Sequence, residues 1–222
     1  MKDSKIGPGT SLLDYPRPSV AVDTAVLTVA EGSVCVLLVR RTEDHQHGKW
    51  ALPGTFLRER ETLADAVLRC LREKAGISGR VPRQLRVFDE PGRDDRGWVL
   101  SAAHVDVVPL ASLEEALESD GARLASVAGE PRLIAGLPYG HADIVAKAVD
   151  WLRAAYVAAP DPGALLDEPF TLKDLRELHE AVAGAPLMRD TFRRFMEPKL
   201  AGTGQMSDGT RGRPSRLWER AD

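Results

Sequence analysis

The stretch ETLADAVLRCLREKAGI, residues 61–77, decides how the first part of the chain is read. Leu63, Ala66, Val67, Cys70 and Leu71 recur at three- and four-residue spacing, so they share one face of a helix. Thr62 with Asp65 three residues later is a capped start, and Gly76 suits the left-handed residue that closes a helix. The period changes on both sides of it. Upstream, VAVDTAVLTV (20–29) and SVCVLLVRR (33–41) are β-branched apolar runs separated by AEGS, which reads as a hairpin. HQHGKWALPGTF (45–56) is a loop punctuated by Gly48, Pro53 and Gly54.

Downstream, residues 81–109 give two strand-like segments around the turn PGRDDRG, and ASLEEALESD (111–120) is a short surface helix or lid. GHADIVAKAVDWLRAAYV (140–157) is an amphipathic helix through Ile144, Ala148, Trp151, Leu152 and Tyr156. The order β-β-α-β-β-α describes an α+β layered domain over residues 1–158. AAPDPGALLDEP carries three prolines and Gly163 between periodic segments, so residues 159–169 are read as a linker.

Residues 170–222 follow a different plan. Thr171 and Asp174 match a capping box, Leu172, Leu175, Leu178 and Val182 make a buried face, and Gly184 ends the helix. A second helix in APLMRDTFRRFME turns Leu187, Phe192, Phe195 and Met196 inward and Arg189, Arg193 and Arg194 outward, and Pro198 stops it. Two helices on a Gly-Ala-Pro connection, followed by strand segments around a Gly-rich basic loop, read as a winged helix-turn-helix. Arginines on a helix and on a hairpin could straddle a DNA groove wall, with plain solvated charge as the alternative. The candidate DNA contacts are Arg189, Thr191, Arg193, Arg194, Arg211 and Arg213.

Charge and composition agree with this division. The 222 residues carry a net charge of −3, but residues 170–222 hold ten Lys/Arg against eight Asp/Glu, leaving −5 on the remainder. Within 189–220 the count is eight basic to four acidic, a modest pointer to nucleic acid. Cys35 and Cys70 make no disulfide framework, no apolar run approaches membrane-span length, and no signal peptide is legible. A cytoplasmic protein without a membrane partner is expected.

Residues 55–77 resemble the Nudix box. The family pattern is Gly, five residues, Glu, seven residues, Arg-Glu, an aliphatic, any residue, Glu-Glu, any residue, Gly, an aliphatic. Glu61, Arg69, Leu71, Glu73, Gly76 and Ile77 match; Thr55 stands at the leading Gly, and Cys70 and Lys74 replace two Glu. In the intact box those carboxylates share one helix face and hold Mg²⁺ against a diphosphate. Cys70 is a soft ligand, and a lysine ~4 Å from a divalent ion costs roughly 8 kcal/mol at a dielectric near 20 before it swings away. No metal, no cofactor and no catalytic residue is therefore expected, and the chain is not expected to be an enzyme. Cys70 could equally be plain core and Lys74 a surface residue favoured near a helix C-terminus.

Over nearly its whole length the chain resembles the Nudix-related, NrtR-like transcriptional regulators of NAD metabolism. YPRPSVAVD, LLVRR, GKWALPG, PGRDDRGWVLS, LPYGHADIVAKAVDWLR, FTLKDLRELHEAVAGAPLMRDTFRRF and RGRPSRLW occur in the order of that branch. The resemblance implies a homodimeric repressor whose Nudix pocket binds ADP-ribose or a related nucleotide and whose winged helices bind a palindromic operator in double-stranded DNA. Trp50, Glu73, Arg93 and Arg96 are the candidate ligand-binding residues, and the resemblance gives Arg69 a structural role within the loop. The rival readings are a Nudix hydrolase acting on ADP-ribose or another nucleoside diphosphate derivative, and a ligand-binding scaffold with a degenerate winged helix.

Overall fold

The structure, a computed structural model, describes Ser11, residues 14–208 and residues 214–221. In chain order it forms β1 (Ser19–Ala30), β2 (Ser33–Arg40), β3 (Trp50–Ala51), β4 (Gly54–Phe56), α1 (Leu63–Ala75), β5 (Arg83–Phe88), β6 (Val99–Val107), α2 (Glu114–Leu117), β7 (Ala122–Ser126), α3 (Pro131–Ala135) and α4 (His141–Ala158). The remainder is β8 (Phe170–Thr171), α5 (Leu172–Ala183), α6 (Arg189–Met196), β9 (Leu200–Met206) and β10 (Arg216–Arg220). The β1–β2 hairpin is as expected, paired antiparallel from Leu27↔Val36 to Ala30↔Ser33.

One seven-stranded sheet carries the first part, in the order β3-β2-β1-β6-β5, with β4 on β1 and β7 on β2. β1 and β6 are parallel from Ser19↔Val99 to Leu27↔Val107. Strand alternation then sorts the side chains. Val22, Val26, Leu37 and Ala102 meet Ala66, Val67 and Leu71 of α1 on one face. Ala25, Leu27, Val36, Leu38, Ala103 and Val105 meet Ile144, Val145, Ala148 and Leu152 of α4 on the other. The result is the α/β/α layering expected. Each hydrophobic face is buried by a helix of matching period.

The second part is a winged helix: α5, α6 and a three-stranded sheet in the order β8-β10-β9. Its core is Phe170, Leu175, Phe192 and Met196, with Trp218 packed against it. α5 has a second face. Leu178 and Val182 join the α4-side core of the first part, so the two parts share a hydrophobic interior. Phe195 does not turn inward as expected: it is 52% exposed, because the helix directs Phe192 and Met196 to the core and carries Phe195 round to the side of Met188. Past Met196 the chain runs into a 3-10 turn, Glu197–Lys199, with Pro198 in its first positions.

The stretch 159–169 is not a loose tether. Asp161 is fully buried, and its carboxylate accepts from the Tyr156 hydroxyl (2.6 Å), the Leu165 and Leu166 amides (3.1 and 2.9 Å) and Arg220 Nη1 (2.9 Å). Gly163 passes so close to the core that a Cβ there would lie 2.6 Å from Val107 Cγ1.

Candidate functional site

Helix α1 is built as the sequence reads. The Thr62 side chain accepts from Asp65 N, Asp65 answers the Thr62 amide, and Gly76 closes the helix at φ 64°. This fixes Arg69, Glu73 and Lys74 along one wall of a cavity of about 290 Å³. Arg69 is the buried brace of the wall. Its guanidinium donates to Glu61 Oε1 and Oε2 (2.6 and 2.8 Å), Thr55 Oγ1 (3.2 Å) and the Phe56 carbonyl (3.1 Å). Its hydrogen bonds to Glu61 hold that carboxyl down at about 2. Thr55, the residue in place of the leading glycine, thus serves as an acceptor for Arg69.

The floor is Asp23 of β1, a buried carboxylate. Ser101 Oγ donates to it at 2.6 Å, His141 Nε2 stands 3.3 Å away and Arg93 Nη2 3.6 Å away. Burial alone would raise its pKa, but His141, Ser101 and Arg93 together outweigh that and hold it at about 2. His141 Nδ1 accepts from the Leu52 amide at 3.0 Å, which leaves the ring proton on the nitrogen facing Asp23. Gly54 runs directly over this carboxylate: a Cβ there would sit 2.0 Å from Asp23 Oδ1.

The turn between β5 and β6 closes the opposite wall. Arg93, its side chain 5% exposed, donates to the Tyr139 carbonyl at 2.7 Å. Arg96 pairs with both oxygens of Asp94 (2.9 and 2.6 Å). Two guanidinium groups lie over the Tyr139 ring, Arg96 at 4.9 Å and Arg41 at 5.0 Å from its centre. It holds a left-handed backbone, φ 61°, unusual for an aromatic residue and typical of an over-determined site.

Of the residues expected at the ligand, the structure brings Glu73, Arg93 and Arg96 together in this cavity. Trp50 does not line it. Its ring packs against the α4-side core and lies 5.8 Å from the Arg123 guanidinium. Asp23, Arg41, Glu43, Tyr139 and His141 were not singled out from sequence. A charge inside the apolar run VAVDTAVLTV was the available signal for Asp23, since buried charges occur where they are paired.

The residues present do not suit the divalent ion that the Nudix box implies. Cys70 is 1% exposed, and burial pushes its thiol up to about 12, so it offers no thiolate. Lys74 Nζ stands 3.1 Å from Glu43 Oε1, and Glu73, the one carboxylate left of the three that the box places on this helix, faces Arg69 at 3.6 Å. Among the described residues, no three His, Cys, Asp or Glu stand where they could hold a metal ion.

A second concavity lies on the winged helix, between the start of α5, helix α6 and β10. Lys173, Arg176, Arg189, Arg193 and Arg216 line it against a single acid, Glu197. Arg189 and Arg193 are four residues apart on one face of α6, and Arg193 pairs with Glu197 at 2.7 Å. Glu180 accepts from the Leu187 amide at 2.8 Å and pairs with Arg176, which fixes the turn that presents α6. Arg194 is exposed on an adjacent face, and Thr191 lies beside Met188 and Phe195, away from the basic groove. Arg211 and Arg213 lie outside the described residues. Lys173, Arg176 and Arg216 join the groove although only the arginines of the second helix and the loop were expected.

No helix among the described residues is long and apolar enough to cross a membrane. Residues 17–131 match the NUDIX domain family and residues 162–219 match the NrtR DNA-binding winged helix domain. The ADPR responsive transcriptional repressor NtrR of Acinetobacter baylyi is 30% identical over 188 residues, covering 82% of this chain and 74% of the relative. The structure is similar to that of Shewanella oneidensis NrtR complexed with a 27mer DNA, with a TM-score of 0.76 and 29% identity over 91% of this chain and 93% of that one. An ADP-ribose pyrophosphatase of Methanocaldococcus jannaschii is 37% identical over 95 residues, 42% of this chain and 54% of the relative. The chain belongs to the Nudix family, in the branch that joins a Nudix domain to an NrtR-type winged helix.

Proposed function

We propose that this protein is a cytoplasmic transcriptional repressor that binds DNA through its winged helix and is controlled by ADP-ribose in its Nudix cavity. The observation that carries the reading is the pairing, on one shared core, of a cationic groove with a cationic cavity. Arg189, Arg193 and Arg216 in the groove, and Arg194 on the adjacent face of α6, are available to contact phosphates, and residues near the start of α6 to reach base edges. A homodimer would present two such helices to a palindromic operator, with half-sites about one helical turn apart. A ligand that favours one arrangement of the two winged helices then opposes or supports DNA binding by linkage. Residues 1–158 form the sensor and 170–222 the DNA-binding part, with the Asp161-centred stretch between them.

Fluorescence anisotropy with labelled DNA from the gene's own upstream region tests this directly. Tight binding that ADP-ribose changes at least tenfold is expected. Replacing Arg193 and Arg194 by Ala should abolish it at physiological salt and reduce the slope of log K against log [salt] by about 2. Unchanged affinity in that variant would sink the assignment of the interface.

The similarity to an ADP-ribose pyrophosphatase keeps a hydrolase in view, but Cys70 and Lys74 replace two carboxylates the reaction needs. We expect no Mg²⁺-dependent turnover of ADP-ribose. Robust turnover by the purified protein that Glu73→Gln removes would establish the enzyme reading instead.

A further inference from the structure

The cavity has a charge balance that a metal-bound site would not have. Six of its lining residues are Arg or Lys and four are Asp or Glu, an excess of two cationic side chains. A site that holds a divalent cation needs an excess of carboxylate. This one, with more cations than carboxylates along its lining, is complementary to a bare diphosphate. Four of the six cations have partners of their own: Arg69 with Glu61, Arg96 with Asp94, Arg93 with the Tyr139 carbonyl, and Arg41 with the His45 carbonyl and Glu43. Lys74 is different. Its ammonium is partly exposed, sits on the helix face where the box would carry a metal-binding carboxylate, and is held by one ion pair to Glu43, half exposed on the loop after β2. Such pairs are weak and exchange readily.

From this we infer that Lys74 is a built-in substitute for the metal: the cavity binds the diphosphate of its ligand without a divalent ion, and the Lys74 ammonium leaves Glu43 to contact it. The inference deepens the sensor reading given above and rests on it for the identity of the nucleotide, though not for the charge argument. A lysine is suited to the task, because a compact ammonium on a flexible stem can reach a phosphate oxygen as a point charge. Glu43 would keep that charge satisfied while the cavity is empty.

Titration calorimetry on the full-length protein, with ADP-ribose and with inorganic pyrophosphate, each in EDTA and in Mg²⁺, provides the test. Wild-type affinity for ADP-ribose should be the same within about twofold in EDTA and in Mg²⁺. Lys74→Met should weaken binding in EDTA about tenfold, the value of one charge-assisted hydrogen bond. Lys74→Glu should weaken it further in EDTA and recover part of the loss when Mg²⁺ is added. Glu43→Gln, which removes the competing carboxylate, should tighten binding and guards against a Lys74 variant that folds poorly. Wild-type binding that requires Mg²⁺, no binding of either anion in EDTA, or Lys74→Met indistinguishable from wild type would each overturn the inference. Metal-free binding of ADP-ribose that leaves DNA affinity unchanged would instead sink the sensor reading and leave the role of Lys74 standing.

Discussion

Asp161→Asn is the substitution whose cost follows most directly from the structure. The carboxylate has no exposed surface, and its two oxygens divide the work. Oδ1 accepts from the Tyr156 hydroxyl and Leu165 N, and Oδ2 from Leu166 N and Arg220 Nη1. Asparagine keeps the shape and removes one acceptor. With its amide at Oδ2, two donors face two donors, and Arg220 keeps Glu168 at 3.1 Å but loses its buried partner. With the amide turned, the clash moves to Leu165 N. Breaking a buried pair costs roughly 3–5 kcal/mol, out of a total stability of about 5–15 kcal/mol. We expect a loss of about 4 kcal/mol and a fall in Tm of roughly 10 °C for a chain of this size. Urea unfolding followed by circular dichroism gives the first number. It should show one transition, because Leu178 and Val182 of α5 belong to the core of the sheet. A double-mutant cycle with Arg220→Met isolates the pair and should return a coupling of about 2 kcal/mol. A loss below 1 kcal/mol, or a coupling near zero, would show that the buried carboxylate does not hold the two parts together.

Three further outcomes are expected. Gly54→Ala drives a Cβ to 2.0 Å from Asp23 Oδ1 and should cost about 3 kcal/mol or more in urea unfolding, whereas Gly48→Ala, in open space at φ +75°, should cost about 1 kcal/mol; equal costs would refute the close approach. Burial holds His104 and His179 below the ordinary imidazole value of 6.5, so the folded state rejects a proton that the unfolded chain takes up, and stability should fall as pH drops below 6.5. Asp23, held at about 2 against 3.8, adds roughly 2 kcal/mol that is present above pH 4 and lost as pH falls towards 2; a pH–stability profile unaltered by Asp23→Asn would refute that part. Thr55→Ala removes one of the acceptors of Arg69 and should cost about 1 kcal/mol in thermal unfolding; no shift in Tm would show that Glu61 and the Phe56 carbonyl suffice.

The local features were legible because local physics determines them. Two capping boxes, Thr62 with Asp65 and Thr171 with Asp174, mark helices at the residues where they begin. The β-branched runs around AEGS became the hairpin. What escaped reading depends on partners far along the chain. ARLAS has no clean alternation, yet it is strand β7, because β2 offers it a register from Cys35↔Ser126 to Val39↔Ala122. The parallel β1–β6 pairing joins residues about 80 positions apart, and the strands β3 and β4 are too short to carry a pattern. The cavity shows the same division. Arg93 and Arg96 stand out in a charged turn, while Tyr139 and His141 acquire their roles only when α4 begins beside Asp23. Trp50 stands next to the loop at Gly48, but its partly buried ring packs against the α4-side core and does not line the cavity. Proline, glycine and alanine in residues 158–169 resemble linker composition, but Asp161 and Gly163 make the segment a packed joint.

One helix, α4, runs from the cavity to the winged helix that carries the basic groove, and that makes a sharper expectation possible. His141, the first residue of α4, is part of the cavity floor, and Tyr156, near its end, meets the winged helix about 23 Å further along the axis. There the ring edge of Tyr156 packs on His179 of α5 at 5.1 Å, and His179 packs on Phe192 of α6 at 5.0 Å. Helices are stiff over this length, so a displacement of the His141 end is transmitted to Tyr156 rather than absorbed between them. Coupling energies between ligand sites are typically about 1–3 kcal/mol, small enough for one stacked ring to matter. His179→Ala should leave ADP-ribose affinity within about twofold of wild type in the absence of DNA. It should reduce the factor by which ADP-ribose changes DNA affinity at least threefold, a loss of roughly 0.6 kcal/mol of coupling. Tyr156→Phe, which keeps the ring contact and loses only the bond to Asp161, should retain most of that factor. If His179→Ala leaves the factor unchanged, the signal between cavity and groove takes another route, and not the one along α4.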